Sequence, residues 1–242
     1  RQRRDTLFAT REGLGGRKAL IGGACAPSLH LALEEAGMCR ELGCDACVAC
    51  PPYYYPYSQA EIVRFYEALS RDAGLPVIMY HVPFFTSGIA PETVEQLSRL
   101  PNIIGVKDSS ANMKRIAHLC QLRGARKDFL VYTGTDDCLF PALAAGVDGS
   151  MTAFAAGAPE LVAGVYEAAR AGDMRLASER QSRMMPLLRA ADALPFPLGY
   201  KLVAQCYHRL PMTRRVHQLV SQEAQSEALA QIERLLRDAL RM

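Results

Sequence analysis

The 242-residue sequence predicts an α/β fold, a parallel sheet built from repeated βα units in the manner of a TIM (β/α)8-type barrel. Three observations carry this. Short apolar runs closed by Gly, Pro or polar residues alternate with longer stretches of helical period. The units recur about every 25 to 30 residues, a spacing that suits a barrel better than an open sheet with irregular insertions. The helical stretches also carry their own start and stop signals. Six strands are expected where a closed barrel has eight, so the expected barrel is incomplete, with a C-terminal helical extension.

In order, the chain opens in a helical segment, "RQRRDTLFATREGLGG". The strands are expected at 18–25, 44–50, 76–82, 103–108, 129–134 and 149–153. Between the first strands lie "PSLHLALEEAGMCRELG", ending at Gly43, and "SQAEIVRFYEALSRDAG". In the latter Ser58 is placed as N-cap three residues before Glu61, and Gly74 stops the helix. "APETVEQLSRL" has Pro91 in its first turn with Glu92 behind it. Four helices follow the sixth strand with no strand between them: "PELVAGVYEAARAG", "DMRLASERQSRMMPLLRAADAL", "PLGYKLVAQCYHRL" and "SEALAQIERLLRDALR". With nothing resembling a flexible linker, a single domain is expected, its barrel portion over 1–170 and its helical region over 171–242.

Half the residues are apolar, 22% are charged and the net charge is +3, as in soluble globular proteins. Basic residues cluster only at Arg1 to Arg4 and at Arg214-Arg215, which is no basic stripe, so no nucleic-acid partner is expected. No stretch reaches the ~20 apolar residues of a membrane span, and the basic start lacks a signal-peptide core. A cytoplasmic protein without a membrane partner is expected. Of eight cysteines, Cys44, Cys47 and Cys50 form C-x2-C-x2-C. In a strand the side-chain period of two points Cys47 away from Cys44 and Cys50, and no fourth ligand follows, so small buried thiols are expected rather than a metal or cluster site.

The chemistry is sought at the strand ends, which face the site in a barrel. "NIIGVKDSS" places Lys107 after a buried-strand run. A lysine among apolar neighbours loses hydration as an ammonium, and a neutral amine can attack a ketone; the plain alternative is a lysine reaching solvent or pairing with Asp108. Tyr80, at the end of the preceding strand in "VIMYHVP", could stand beside Lys107 as a proton carrier. His81 points the other way and reads as structural. "PPYYYPYSQ" carries Tyr53, Tyr54, Tyr55 and Tyr57 on a Pro-bounded loop, of the kind that lines a site or a subunit contact.

These segments, with "PETVEQLSRLPNIIGVKDSS" and "GTDDCLFPALAAGVDGSMTA", occur in an order and spacing that resembles the dihydrodipicolinate synthase and N-acetylneuraminate lyase family of class I aldolases, over about residues 17 to 170. The resemblance implies a (β/α)8 barrel with C-terminal helices, usually tetrameric, acting on pyruvate or another 2-oxo acid through a Schiff base with no cofactor or metal. It implies Lys107 as the Schiff-base lysine, Tyr80 as the proton-shuttling tyrosine and Tyr54 as the tyrosine supplied by a neighbouring subunit. Gly134 with Asp136 or Asp137 matches the Gly-x-Asp turn that lines the site, and Phe85 and Thr152 are added as substrate-binding candidates. A 2-oxo acid, an aldehyde and further copies of the chain are the expected partners.

Three departures from the family bear on function. Its first strand, and a Gly-Thr-Thr-Gly-Glu turn whose threonines hold the substrate carboxylate, would precede Arg1, matching the two-unit deficit. The arginine that grips a second carboxylate is replaced within Phe84-Phe85-Thr86-Ser87-Gly88, which disfavours dihydrodipicolinate synthesis and favours an apolar or sugar-acid-derived aldehyde. Ala156 stands where many members carry Asn. The expected activity is therefore that of a Schiff-base lyase or aldolase. The alternative is a truncated or catalytically impaired member that keeps only the scaffold. A metal-dependent aldolase is discouraged because no His and carboxylate cluster has ligand spacing.

Overall fold

Five short strands run parallel in chain order: β1 (Ile21–Gly23), β2 (Ala46–Ala49), β3 (Val77–His81), β4 (Ile103–Asp108) and β5 (Leu130–Thr133), each paired with the next. Parallel neighbours require a crossover, supplied by α2 (Leu29–Glu41), α3 (Gln59–Asp72), α4 (Pro91–Leu97) and α5 (Met113–Gln121); helix α1 (Gln2–Leu14) precedes them. The computed structural model describes residues 2–122, 126–211 and 220–240. It divides into two compact units, residues 1–134 and 135–242. Arg1, Arg214 and Arg215 lie outside the described residues; Arg3 and Arg4 pair with Glu35 and Glu41.

Helix α3 forms where the punctuation predicts. Ser58 Oγ accepts from the Glu61 amide while Glu61 Oε2 accepts from the Ser58 amide at 2.8 Å, a reciprocal cap of two otherwise unpaired donors. Its buried residues Ile62, Phe65, Tyr66, Leu69 and Ser70 repeat at helical spacing and face the sheet. Tyr66 is fully buried, and its hydroxyl donates to Ala49 O at 2.7 Å and accepts from the Tyr80 amide at 3.4 Å. The phenol thus bridges β2 and β3 next to Tyr80. Tyr66→Phe removes the hydroxyl's bonds to Ala49 O and the Tyr80 amide, which the β2–β3 ladder itself pairs, with an expected loss of about 0.5–1.5 kcal/mol in unfolding free energy by urea titration.

Alternation sorts the cysteines. A Cβ on Gly22 would collide with Cys39 Sγ of α2, so Gly22 and its partner Cys47 face the helices. Cys50, three residues on, faces the other side, as the period predicts. Cys44 departs from the expectation: it precedes β2, escapes the strand alternation, and packs with Cys39 and Leu20 on the helix side. All eight thiols are free, and no cluster able to hold a metal occurs among the described residues.

Every strand but β4 is shorter than expected, the first and the sixth most of all. Before Ile21, the Leu20 amide turns to Asp45 Oδ2 at 2.8 Å, so Lys18 to Leu20 stay outside the ladder. The strand expected at 149–153 is paired only over β6 (Gly149–Ser150) before α7 (Phe154–Gly157) begins. With α6 (Leu139–Ala145), α8 (Pro159–Arg170), α9 (Met174–Asp192), α10 (Leu198–His208) and α11 (Gln222–Leu240), these elements make the second unit. Its core gathers Leu139, Phe154, Val165, Leu187, Leu202 and Ile232. No described helix is long and apolar enough to cross a membrane.

Candidate functional site

Tyr80 and Lys107 are direct register partners on β3 and β4. Partners in a parallel pair point to one face, and here the Lys107 Nζ stands 4.0 Å from the Tyr80 ring centroid. Among the described residues Lys107 has no carboxylate partner. Asp108, the partner considered from sequence, points to the other face. There its Oδ2 accepts from Arg115 Nε at 2.6 Å and its Oδ1 from the Ser110 amide and hydroxyl. His81 shares that face: its Nδ1 accepts from the Ile89 amide at 2.9 Å. Burial, then repulsion from Arg115, pushes His81 down to about 4 against an opposing pull from Asp108. It is a neutral structural imidazole, as the alternation predicts.

Sequence reasoning missed Ser109. Two residues beyond Lys107 and hence on its face, this buried serine donates to the Tyr80 hydroxyl at 3.4 Å. Gly134, on the next strand end, is what leaves it room: a Cβ there would overlap Ser109 Oγ and come within 3.0 Å of Lys107 Cε. Amine, phenol, hydroxyl and the bare backbone of Gly134 thus converge within the first unit. "DSS" after a strand reads as turn chemistry, so only the period of two, counted on from Lys107, could have found Ser109. Ser109→Ala is expected to lower turnover with little change in thermal midpoint, and rescue by Ser109→Thr would distinguish a hydroxyl role from a packing role.

Tyr54 and Phe85 lie on loops of the same unit and are 86% and 69% exposed. The loops are tied together, since Ser87 Oγ accepts from the Tyr57 amide at 2.7 Å. Tyr54 has φ +87°, a left-handed conformation that is strained for a non-glycine residue.

In the second unit, Asp136 is buried, Asp137 is exposed, and Gln181 Nε2 holds both backbone carbonyls at 3.1 and 3.3 Å. Burial pushes Asp136 up from 3.8 to about 6, offset in part by the facing Thr152 hydroxyl and the Phe154 amide. Asp136 Oδ1 and Thr152 Oγ1 nevertheless make no hydrogen bond of standard geometry. A carboxyl whose folded pKa is raised binds its proton more tightly when folded, so its cost is absent below about pH 4 and complete above about pH 6. Asp136→Asn is expected to remove this fall in stability, so that denaturation midpoints of variant and parent diverge between pH 4 and 6. The His81 contribution, of opposite sign, is common to both proteins and cancels.

A profile described as the dihydrodipicolinate synthetase family matches residues 1–235. The chain belongs to the dihydrodipicolinate synthetase family. Within it, the chain is 34% identical over 220 residues to the 4-hydroxy-tetrahydrodipicolinate synthase of Halorhodospira halophila, covering 88% of this chain and 73% of that one. The alignments to four such curated family members span 64% to 73% of those proteins' length. Among solved structures of the family, YagE, a prophage protein of Escherichia coli K12 in complex with pyruvate, superposes with a TM-score of 0.87 at 26% identity. That match covers 98% of this chain and 80% of YagE. The 2-keto 3-deoxygluconate aldolase of Picrophilus torridus superposes with a TM-score of 0.80 at 25% identity, over 91% and 80% of the two chains. The family fold is the expected one, a (β/α)-barrel portion, six strands here, followed by C-terminal helices.

Proposed function

We propose that this chain carries the imine-forming site of a class I lyase or aldolase acting on pyruvate or a related 2-oxo acid. The observation that carries the proposal is the Lys107 amine, without a carboxylate partner among the described residues, standing over the Tyr80 ring at adjoining strand ends. Once deprotonated, the amine adds to the ketone carbon and water leaves, giving a protonated imine that accepts an electron pair when a bond to the neighbouring carbon breaks or forms. The Tyr80 hydroxyl, supported by Ser109, carries the proton. Borohydride reduction in the presence of pyruvate should fix a covalent adduct on Lys107, read by peptide mass spectrometry. A folded, reduced protein giving no adduct there overturns the proposal.

The proposed acceptor is an apolar or sugar-acid-derived aldehyde. Phe84 and Phe85 offer exposed aromatic surface and no guanidinium for a second carboxylate. Competing an anionic aldehyde against a neutral one of similar size tests this, with the neutral one preferred. The exposed, strained Tyr54 supports a homo-oligomer in which the aromatic loop meets a second copy.

A further inference from the structure

The register runs the active layer of the sheet beyond Tyr80. Continuing Ala49↔Met79 by one residue on each strand sets Cys50 opposite Tyr80, and continuing Gly23↔Val48 by two sets Cys25 opposite Cys50. Cys25, Cys50, Tyr80 and Lys107 therefore form one row on one face. The two thiols are therefore side-by-side neighbours in that row, and the Cys25 thiol lies 3.7 Å from Val48 O. Adjacent parallel strands are about 4.8 Å apart, inside the roughly 4.4 to 6.8 Å between α-carbons that a disulfide spans. We propose that Cys25 and Cys50 form a peroxide-responsive dithiol whose closure shifts the end of β2 beside Tyr80 and suppresses imine formation at Lys107.

The two sulfurs are matched to the two steps. Interaction with the neighbouring Cys50 thiol pulls Cys25 down to about 7 against burial, with the Lys107 charge a smaller contribution, whereas Cys50 is pushed up. Cys25 is the half-buried member and Cys50 the fully buried one. The Cys25 thiolate attacks one oxygen of hydrogen peroxide, the O–O bond breaks, and the departing hydroxide takes a proton to leave as water. The Cys50 sulfur then displaces hydroxide from the resulting sulfenic acid, and the Cys50 proton completes a second water. Two thiols lose two electrons and two protons, and one peroxide becomes two waters. Closure adjusts the strand whose last carbonyl, Ala49 O, accepts from the Tyr66 hydroxyl, which in turn accepts from the Tyr80 amide. Pairing a thiol with its register partner on the next strand gives a strained, readily reduced disulfide, of the reversible kind.

The suppression of imine formation rests on the function proposed above, so the test reads three quantities. The native chain is treated with hydrogen peroxide, free thiols are alkylated, and unreduced peptides are mapped. A Cys25–Cys50 cross-link, two hydrogens lighter than the separate peptides and reversed by dithiothreitol, is expected, and no link or a Cys39–Cys44 link instead overturns the proposal. Oxidation should remove most of the borohydride-trapped pyruvate adduct in the parent, while Cys25→Ser and Cys50→Ser keep theirs; an unchanged adduct in the cross-linked parent also overturns it. Trinitrobenzenesulfonate labelling of Lys107 reads the same strand shift without substrate: slower labelling after cross-linking supports the proposal, and an unchanged rate overturns it. If reduced parent forms no adduct, the 2-oxo-acid reading falls, while cross-link and labelling still decide the dithiol.

Discussion

Lys107→Ala is expected to abolish the borohydride-trapped adduct and to lower turnover by on the order of 10⁴-fold or more, because the covalent path itself is removed. Lys107→Arg should fare no better. It keeps a cation above the Tyr80 ring, but a guanidinium does not deprotonate to a nucleophile near neutral pH. The pair therefore separates nucleophilic from electrostatic roles: recovery of activity by arginine would mean that Lys107 only holds charge. Tyr80→Phe removes a proton carrier and leaves the amine, so the adduct should persist while turnover falls roughly 10² to 10⁴-fold. Steady-state kinetics with trapping on the same preparations makes this comparison.

Arg115→Ala is the substitution expected to cost most in stability. The Asp108 side chain is fully inaccessible and its 2.6 Å partner, Arg115 Nε, lies behind the strand that bears Lys107. Removing the guanidinium leaves a buried carboxylate with only the two Ser110 donors, at a cost of about 3–5 kcal/mol. Urea unfolding would register this as a lower midpoint at unchanged slope. Replacing both partners, as in Asp108→Asn with Arg115→Met, should recover most of the loss, since no unpaired charge remains. A double variant as unstable as the single one would show that shape, rather than charge pairing, is what the site requires. Loss of Arg115 also removes one of the causes that hold His81 down, so the imidazole should titrate at higher pH, read by NMR.

Strand β4 is observed over the residues its sequence marks, because Pro101-Asn102 closes the segment before it and the pairing with β3, which skips Ile104, ends at Asp108. Lys107 and Tyr80 were legible for the same reason, as polar groups at the ends of apolar runs in neighbouring strands. The helix α6 was not. Its Pro141 discourages a helical reading, yet the ring sits in the first turn, where the amide it lacks would have no intrahelical acceptor. Helix α7 is a single turn and carries no periodicity to read. Ser109 and Gly134 escaped because their significance is a mutual distance across two strands. The row joining Cys25 to Lys107 depends on the register of three strand pairs, and apolar patterning fixes which face a residue takes without fixing which neighbour it meets.

Arg126 sits in no recognisable sequence pattern, yet its guanidinium donates to the carbonyls of Ser98, Leu100, Pro101 and Ile103. These oxygens end α4 and open β4, so one side chain closes the connection between them. During translation, the start of β4 leaves the ribosome 23 residues ahead of the cation that anchors it. A nascent chain cannot secure the strand bearing Lys107 until residue 126 has cleared the exit tunnel, so stalled chains ending shortly before and shortly after that point should differ sharply in protease resistance around Ile103.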